Sequence, residues 1–357
     1  MTALVSLTDL TAAQLKEFVT SLGEPEYRTR QLQRWIYQGL ASSFDEMTNL
    51  PKFFREKLTQ KARLHNLTPT QEVTARDGTV KVLFSLLDGR TIETALMPYP
   101  TPQGGLRYTL CVSTQVGCPI GCAFCATGQQ GFERNLTSGE ILDQVLLFAR
   151  RLRDQRSDAK IDNIVFMGMG EPMTNYDALW QAIEMLNAPD GFGLGARNMT
   201  ISTSGLIPQI ERLSKEKLQV GLAVSLHAAT DELRGKLVPI NRKYALKPLI
   251  TACRDYFEKT GRRVSFEYIL FEGINDSPKD ARTLAHLIQG LNCHVNLIPA
   301  NPTKQREYRP PSQETVQAFE QELKRLRITC TVRARKGVDI DAGCGQLRSR
   351  FLKQKVA

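Results

Sequence analysis

Strand-like and helix-like segments alternate along the chain from about residue 105 onward. The candidate strands are, in order, TLCVST, DNIVFMG, NMTIST, QVGLAVSL, RVSFEYIL, CHVNLIP and ITCTVRA. Amphipathic stretches such as GEILDQVLLFARRLRD and YDALWQAIEMLN lie between them, and Thr137 with Glu140 has the spacing of a capping box. Alternation over roughly 200 residues favours a parallel α/β sheet, either open or closed into a barrel. Chemistry in such a sheet collects at the carboxyl ends of the strands.

The first part of the chain has a different pattern. Short helix-like segments, TAAQLKEFVTSLG, YRTRQLQRWIYQGL and LPKFFREKLTQKA, are separated by Gly23, Gly39 and Pro51. Two strand-like runs follow, TVKVLFSLL and TIETALM, and the residues Asp88-Gly89-Arg90 between them favour a hairpin turn. The sequence therefore predicts a small helical accessory domain that leads into a β-hairpin.

The charge of the chain is positive and unevenly distributed. Lysine and arginine together number 47 against 37 acidic residues, which gives a net charge of +10. Residues 302–357 hold 13 basic and 6 acidic residues, whereas residues 1–60 hold 7 of each. This asymmetry favours a nucleic-acid partner over a membrane surface, with a solvated basic tail as the alternative. No apolar run is long enough to cross a membrane and the start does not resemble a signal peptide, so we expect a cytoplasmic location.

Three cysteines lie close together in VGCPIGCAFCATG. Cys118, Cys122 and Cys125 fall within eight residues, and Cys111 lies just upstream. A structural zinc site needs four ligands, and no second Cys-x-x-Cys or His pair completes one, although Cys111 could by number. Three thiolates instead suit a 4Fe–4S cluster in which one iron is left for another ligand. The scattered cysteines are expected to be small buried hydrophobes: Cys253, Cys293 and Cys330.

The spacing Cys-x-x-x-Cys-x-Phe-Cys resembles the signature of radical S-adenosylmethionine enzymes. The wider segment TLCVSTQVGCPIGCAFCATGQQGFERNLT is similar to the RNA adenine methyltransferases of the RlmN/Cfr family, and the blocks GMGEPMTNYD, ISTSG, VSLHA, NLIPANP and DIDAGCGQL support this in order. The resemblance implies an α/β fold: a partial (β/α) barrel radical-SAM core with a small N-terminal helical domain and a β-hairpin linker. We predict residues 1–75 as the helical domain, 76–104 as the linker, 105–340 as the core and 341–357 as the loop of a catalytic cysteine with the tail.

The resemblance also implies the cofactors and the residues that hold them. One 4Fe–4S cluster per chain would be ligated by the three clustered cysteines. S-adenosylmethionine would be bound by seven residues: Gly170, Glu171, Ser202, Ser225, Leu226, His227 and Asn301. Gly170 permits close backbone approach, and the Glu171 carboxylate can pair with the ammonium group of the cofactor. Considered alone, GMGEP is equally a turn at the end of a strand, and Ser202 and His227 are more often structural.

Cys344 lies between Gly343 and Gly345, in a segment predicted to be a mobile loop. The resemblance implies that one S-adenosylmethionine methylates Cys344, which then carries the methyl group as S-methylcysteine. A second S-adenosylmethionine would be cleaved reductively, so two would be consumed per turnover. Its 5′-deoxyadenosyl radical would take a hydrogen atom from the methyl group, and the resulting radical would add to the base.

Two further residues receive roles from the resemblance. Glu93 would be the proton acceptor, and Cys111 would resolve the covalent RNA adduct by forming a transient disulfide with Cys344. On residue type alone, Glu93 is more often solvent-facing and Cys111 a small apolar side chain of a strand.

The implied function is methylation of carbon 2 of an adenosine in the peptidyl-transferase centre of 23S rRNA and of the adenosine beside the tRNA anticodon. A Cfr-like enzyme that acts on carbon 8 shares every motif and stays open, and a non-catalytic iron–sulfur or zinc protein that binds RNA is a remote alternative. The expected partners are 23S rRNA, tRNA and an electron donor such as flavodoxin, with no membrane and a monomeric chain. Arg333, Arg335 and Lys336 are our candidates for contacts with RNA phosphates.

Overall fold

The computed structural model describes residues 4–156, 158–300, 307–333, 336–337, 340 and 348. Three helices and a pair of short strands form its N-terminal part: β1 (Val5–Ser6), α1 (Ala12–Ser21), α2 (Tyr27–Tyr37), α3 (Lys52–Lys61) and β2 (Ala62–Arg63). Helix α1 begins at a capping box, in which Thr11 Oγ1 accepts a hydrogen bond from Gln14 N–H at 3.3 Å and Gln14 Oε1 accepts one from Thr11 N–H at 2.9 Å. Because β1 pairs with β2, the chain returns to its starting point after the three predicted helices.

The remaining strands build one large sheet and one small one. They are β3 (Leu67–Thr74), β4 (Val80–Leu86), β5 (Thr91–Pro100), β6 (Leu106–Cys111), β7 (Gln115–Gly117), β8 (Phe132–Asn135), β9 (Ile161–Phe166), β10 (Met199–Thr203), β11 (Gly221–Ser225), β12 (Val264–Leu270), β13 (Cys293–Pro299) and β14 (Cys330–Val332). Ten of the described strands form the large sheet in the order β14-β13-β12-β11-β10-β9-β6-β5-β4-β3, and β7 pairs with β8.

The large sheet has a parallel part and an antiparallel part. From β6 through β9 to β14 every neighbouring pair is parallel, and each of the seven candidate strands predicted from the alternation overlaps one of these strands. The pairs β3–β4, β4–β5 and β5–β6 are antiparallel. The predicted hairpin is thus β4 and β5, and it continues the core sheet through β6. An open sheet with β14 and β3 at its edges agrees with the predicted partial barrel.

Helices follow the parallel strands, as the alternation predicts. They are α4 (Ala126–Gln129), α5 (Ser138–Gln155), α6 (Tyr176–Asn187), α7 (Ile207–Leu213), α8 (Asp231–Leu237), α9 (Leu246–Thr260), α10 (Pro278–Leu287) and α11 (Gln313–Arg325). The predicted capping box of α5 is confirmed, since Thr137 Oγ1 accepts from Glu140 N–H at 3.1 Å and Glu140 Oε2 accepts from Thr137 N–H at 3.0 Å. Within the described part of the chain, no helix combines the length and the apolar character needed to cross a membrane.

The two faces of the parallel sheet differ in chemistry because side chains alternate along each strand. On β12, Phe266 and Tyr268 are fully buried, and the Tyr268 ring packs 5.5 Å from the Phe319 ring of α11. Glu267 and Ile269 point to the opposite face. The helices therefore cover the apolar face, and the other face carries the polar side chains from which a site can be built.

Candidate active site

A cavity of about 240 Å³ opens on the polar face of the sheet, where the parallel strands end. The three predicted metal ligands line it: Cys118, Cys122 and Cys125. Five of the seven predicted cofactor residues also line it: Gly170, Glu171, Ser202, Ser225 and His227. Residues that are far apart in the sequence thus meet at the carboxyl ends of β9 to β12, as expected for a parallel α/β sheet.

The loop that carries the cysteines is fixed at both ends. Gly117 has a φ of +78°, and a Cβ there would lie 1.9 Å from the carbonyl oxygen of Gly131, so only glycine fits. The Cys118 N–H donates to that same oxygen at 2.9 Å. At the other end Cys125 caps α4, and its Sγ accepts from the Gly128 N–H at 3.5 Å. The backbone therefore directs the loop so that its three thiols face one cavity.

Burial of two of the three loop thiols, Cys118 and Cys122, favours their protonated form, which sets a condition for metal binding. All three are free, and burial raises the pKa of Cys118 to about 12. Burial also raises the pKa of Cys122 well above its usual value, and the neighbouring thiols Cys125 and Cys118 add to the shift. Because iron is bound by thiolates, cluster assembly must release these protons. Three sulfur donors on one loop are the donor set that iron–sulfur clusters use.

The turn after β9 contains Gly170 and Glu171. Gly170 has a φ of +108°, and the Glu171 carboxylate is buried. That carboxylate accepts hydrogen bonds from the Met173 N–H at 3.1 Å, from the Ser204 N–H at 2.7 Å and from the Ser204 hydroxyl. Burial raises the pKa of Glu171, and these hydrogen bonds oppose the shift. The Thr203 side chain also hydrogen-bonds to this carboxylate, so pairing with the predicted ammonium group would rest on the negative charge of Glu171.

Replacing Gly170 with alanine should destabilise the protein by about 1–3 kcal/mol. The positive φ is strained for alanine, and the new Cβ would lie 2.7 Å from Gln115 Cβ and 2.9 Å from Gln115 N. Chemical denaturation followed by circular dichroism measures the effect. The control is Gly235→Ala in α8, where a Cβ would meet no heavy atom of the described residues within 4 Å; it should be neutral or stabilising. Equal stability of Gly170→Ala and the wild type would contradict this close approach.

Three predicted cofactor residues follow one another at the end of β11. The Ser225 hydroxyl oxygen lies 3.5 Å from that of Ser202 on β10, so two hydroxyls sit side by side in the cavity wall. The next residue, Leu226, is fully buried, and its N–H donates to the Glu267 carbonyl at 3.0 Å. Leu226 therefore packs in the core beneath the cavity, while the two serines present polar groups to it.

His227 supports the cavity wall as a neutral ring. Its φ of +60° is left-handed, its Nδ1 accepts from the Ile269 N–H at 3.2 Å, and its ring meets the Phe124 ring edge-on at 5.1 Å. Burial lowers the pKa of His227 to about 3, so the imidazole is uncharged near neutral pH. The residue thus connects the end of β11 to β12 and to the cysteine loop.

Arg234 is a structural element of the site that the sequence did not single out. Its side chain is fully buried in α8, and its guanidinium donates to the carbonyl oxygens of Ser204 at 2.6 Å, Ser225 at 3.1 Å and Leu226 at 3.1 Å. A fourth bond reaches Asn241 Oδ1 at 2.9 Å. Because its guanidinium bonds to carbonyls that follow both strands, Arg234 holds the ends of β10 and β11 together beneath the cavity.

Glu93 and Cys111 lie on one face of the sheet, towards its antiparallel part. Glu93 is only 3% exposed, and its carboxylate is 2.7 Å from Lys81 Nζ. The strand register places Lys81 and Cys111 on either side of Ala95. Burial raises the pKa of Cys111, and the charges of Arg333 and Lys81 oppose the shift. The predicted proton acceptor and the predicted second cysteine therefore belong to one polar cluster.

Three predicted functional residues lie outside the described residues: Asn301, Arg335 and Cys344. The cysteines that the structure does describe are all free thiols, Cys111 included. The transient disulfide between Cys111 and Cys344 therefore stays a prediction.

The two described candidates for phosphate contacts have partners within the chain. Arg333 lines the cavity, with Nη1 3.9 Å from Glu267 Oε2. Lys336 Nζ lies 3.8 Å from Asp77 Oδ2 and 4.9 Å from the centre of the Tyr99 ring. Both cations therefore interact with acidic or aromatic side chains of the chain itself. Their position in a basic segment of the sequence does not indicate these contacts.

Two family models match the chain. The model described as the ribosomal RNA large subunit methyltransferase N-terminal domain matches residues 5–64, and the model of the radical SAM superfamily matches residues 112–285. Together they cover both the N-terminal helices and most of the parallel sheet.

Curated relatives and a solved structure are similar over nearly the whole chain. A probable dual-specificity RNA methyltransferase RlmN of Staphylococcus carnosus is 46% identical over 345 residues, which is 97% of this chain and 93% of the relative. A probable enzyme of the same name from Desulfitobacterium hafniense is 47% identical over 343 residues, or 96% of each chain. A crystal structure of a radical SAM methyltransferase from Sphaerobacter thermophilus has a TM-score of 0.91 and 51% identity, and the match covers 96% of this chain and 98% of that one.

Proposed function

The chain belongs to the RlmN family of radical S-adenosylmethionine RNA methyltransferases, and we propose that it methylates carbon 2 of an adenosine in the peptidyl-transferase centre of 23S rRNA. We propose the adenosine beside the tRNA anticodon as a second target, in line with the dual specificity in the relatives' names. The observation that carries the proposal is the convergence of Cys118, Cys122 and Cys125 on the cavity that Glu171 and Ser202 also line.

The residues present fit a 4Fe–4S cluster with S-adenosylmethionine beside it. Three thiols from one loop face the cavity, which leaves one iron of such a cluster for another ligand. Next to them Gly170 and the buried Glu171 carboxylate line the same cavity, and the carboxylate can pair with the ammonium group of the cofactor. When bound, these cofactors would supply the radical chemistry that an unactivated adenine carbon requires.

The chain's own residues would handle the methyl group, the proton and the release of product. We propose that Cys344 carries the methyl group and that Glu93 accepts the proton from the ring carbon, with Lys81 compensating the buried carboxylate at 2.7 Å. The Cys111 thiolate would then form an S–S bond with Cys344 while the S–C bond to the base breaks. The released carbon takes up a proton to become the methyl group, and the reductant must reduce the disulfide before the next turnover. We propose that two S-adenosylmethionine molecules would be consumed per turnover, one for the methyl group on Cys344 and one for the radical chemistry.

The position of the new methyl group is the decisive test of this proposal. Unmodified 23S rRNA and tRNA transcripts are incubated anaerobically with the cluster-loaded protein, S-adenosylmethionine and a reductant, and their nucleosides are analysed by mass spectrometry. We expect 2-methyladenosine in both RNAs and none without reductant. 8-Methyladenosine would make the chain a Cfr-like enzyme, and modification of rRNA alone would remove tRNA as a substrate. No methyladenosine despite an intact cluster would favour a non-catalytic RNA-binding protein.

The remaining partner assignments belong to the same proposal. The chemistry needs single electrons, and we propose a flavodoxin as the donor. We also propose that the chain acts as a monomer in the cytoplasm.

A further inference from the structure

A row of polar side chains crosses four adjacent strands on the cavity face of the sheet. The register pairs Ser225 of β11 with Glu267 of β12, Glu267 with Asn296 of β13, and Asn296 with Thr331 of β14. Asn296 Nδ2 donates to Glu267 Oε1 at 2.7 Å, and the Thr331 hydroxyl donates to Asn296 Oδ1 at 3.2 Å. Three of the four side chains are thus joined by hydrogen bonds, and the acidic one lies in the wall of the cavity beside Ser225.

One oxygen of Glu267 receives no hydrogen bond from the described part of the chain. The residue is 5% exposed, and its Oε2 is buried without a donor among those residues. Arg333 Nη1 lies 3.9 Å away, which is too far for a hydrogen bond. A buried carboxylate oxygen without a donor is unfavourable, and burial accordingly raises the pKa of Glu267, although Asn296 and Arg333 oppose the shift. An acceptor of this kind in a cavity is complementary to a ligand that brings a donor.

The surroundings of Oε2 indicate which donor fits. The Arg333 guanidinium stands near the same oxygen, so a second cation such as an ammonium group is disfavoured there and a neutral donor is favoured. Ser225 lies directly opposite on the neighbouring strand, roughly 4.8 Å away between strands, so two polar groups can meet two adjacent hydroxyls. Ile269 and Ile298, two residues further along β12 and β13, add apolar wall on which a base can pack.

The distance between Glu267 and the end of the cavity that holds Glu171 and the cysteine loop suits an extended ligand. Glu171 follows β9, whereas Glu267 lies three strands away on β12, and both line the same cavity with Cys118. Three strand spacings amount to roughly 14 Å along the sheet. A ligand whose charged end lies beside Glu171 and the cysteines would therefore reach Glu267 with its other end.

We propose that Glu267 Oε2 accepts a hydrogen bond from a ribose hydroxyl of an adenosine bound in this cavity. The inference rests on the proposed function, since S-adenosylmethionine and the target nucleotide both carry an adenosine ribose. The span from Glu171 to Glu267 favours the ribose of the cofactor.

The test measures binding to the cluster-loaded protein with S-adenosylhomocysteine, which carries the same adenosine but has no methyl group to transfer. Glu267→Gln keeps an oxygen for Asn296 and replaces the acceptor at Oε2 by a donor. Its dissociation constant, measured by anaerobic calorimetry, should rise about tenfold or more, as expected when a hydrogen bond to a charged group is lost. Glu272→Gln, at an exposed acidic residue just after β12, is the matched control and should bind as the wild type does.

Deoxy analogues identify the hydroxyl. If a ribose hydroxyl is the donor, the 2′-deoxy or the 3′-deoxy analogue should bind more weakly to the wild type. Glu267→Gln should then cause little further loss with that analogue, because the two changes remove the same contact. Thermal unfolding checks that Glu267→Gln is folded. If Glu267→Gln does not fold, Glu267→Asp is used instead, because it keeps the charge on a shorter side chain.

The two sources of adenosine are distinguished by a second measurement, the KM for RNA. Weaker S-adenosylhomocysteine binding without RNA assigns the contact to the cofactor, whereas an increase confined to the KM for RNA assigns it to the target nucleotide. Unchanged values of both in a folded variant would overturn the inference about Glu267 and leave the proposed function intact. A wild type that bound no S-adenosylhomocysteine at all would remove the proposed function and this inference together.

Discussion

Replacing Cys118, Cys122 or Cys125 with alanine, one at a time, should reduce the iron bound after anaerobic reconstitution from about four atoms per chain to a near-background level. The loop supplies three thiols to the cavity, so one substitution leaves two protein ligands. The other described cysteines lie in β6, α9, β13 and β14, where the backbone does not free them to move into the vacant position. Iron analysis and the visible absorption spectrum measure the cluster, and reductive cleavage of S-adenosylmethionine should disappear with it.

The control for this experiment is Cys293→Ala. Cys293 is a buried free cysteine at the start of β13, so its loss should leave the iron content unchanged and cost at most about 1 kcal/mol of stability. If any single variant of the loop kept its full iron content, the loop would not be the cluster site. Tight binding of zinc in place of iron by the wild type would instead favour the non-catalytic alternative.

The parallel part of the sheet could be predicted because its signal is local. In RVSFEYIL the residues Val264, Phe266, Tyr268 and Leu270 are all buried, and two of the three residues between them are polar, so the period of two is visible in the sequence. The capping box of α5 is similarly local, since it depends on two residues three positions apart. The cysteine spacing needed no tertiary information either, because all three ligands lie on one loop.

Other elements depend on contacts that the local sequence does not contain. Strand β3 is largely exposed and contains Pro69, so its sequence LTPTQEVT carries little apolar alternation. The short strands β7 and β8 pair where Gly117 and Gly131 approach closely across a loop, a contact that neither segment indicates by itself. Arg234 sits in DELRGKL among other charged residues, and only the fold shows that it is buried against carbonyl oxygens rather than solvated.

The β4–β5 hairpin also shows that local sequence does not reveal long-range contacts, in this case contacts that decide the domain boundaries. The turn between β4 and β5 is a local signal, but the pairing of β5 with β6 is a long-range contact that makes the hairpin part of the core sheet. The predicted boundaries, with 76–104 as a separate linker, stay predictions. The pairing matters for function, because it sets Ala95 beside Cys111 and so brings Glu93 into the same polar cluster.

Substituting the two cysteines outside the loop should give opposite outcomes. Cys344→Ala should keep the cluster but never acquire S-methylcysteine or become linked to RNA, because it lacks the thiol that accepts the methyl group. Cys111→Ala should still be methylated at Cys344 and still attack the base, and it should then accumulate as a covalent protein–RNA complex. Cys111 lies in one cluster with Lys81 and Glu93; burial raises the pKa of its thiol, and the charges of Arg333 and Lys81 oppose that shift and so favour the thiolate that attacks.

A denaturing gel of each variant, purified with cellular RNA and run with and without ribonuclease, measures this difference. A shifted band that ribonuclease removes should appear for Cys111→Ala and be absent for Cys344→Ala. Cys330→Ala, at a buried free cysteine of β14, is the matched control and should show no shifted band. The asymmetry follows from the order of the chemical steps, because one thiol forms the link to RNA and the other breaks it. Identical gels for Cys111→Ala and Cys344→Ala would therefore overturn the methyl-carrier mechanism, even if the cluster and the methylated product were both found.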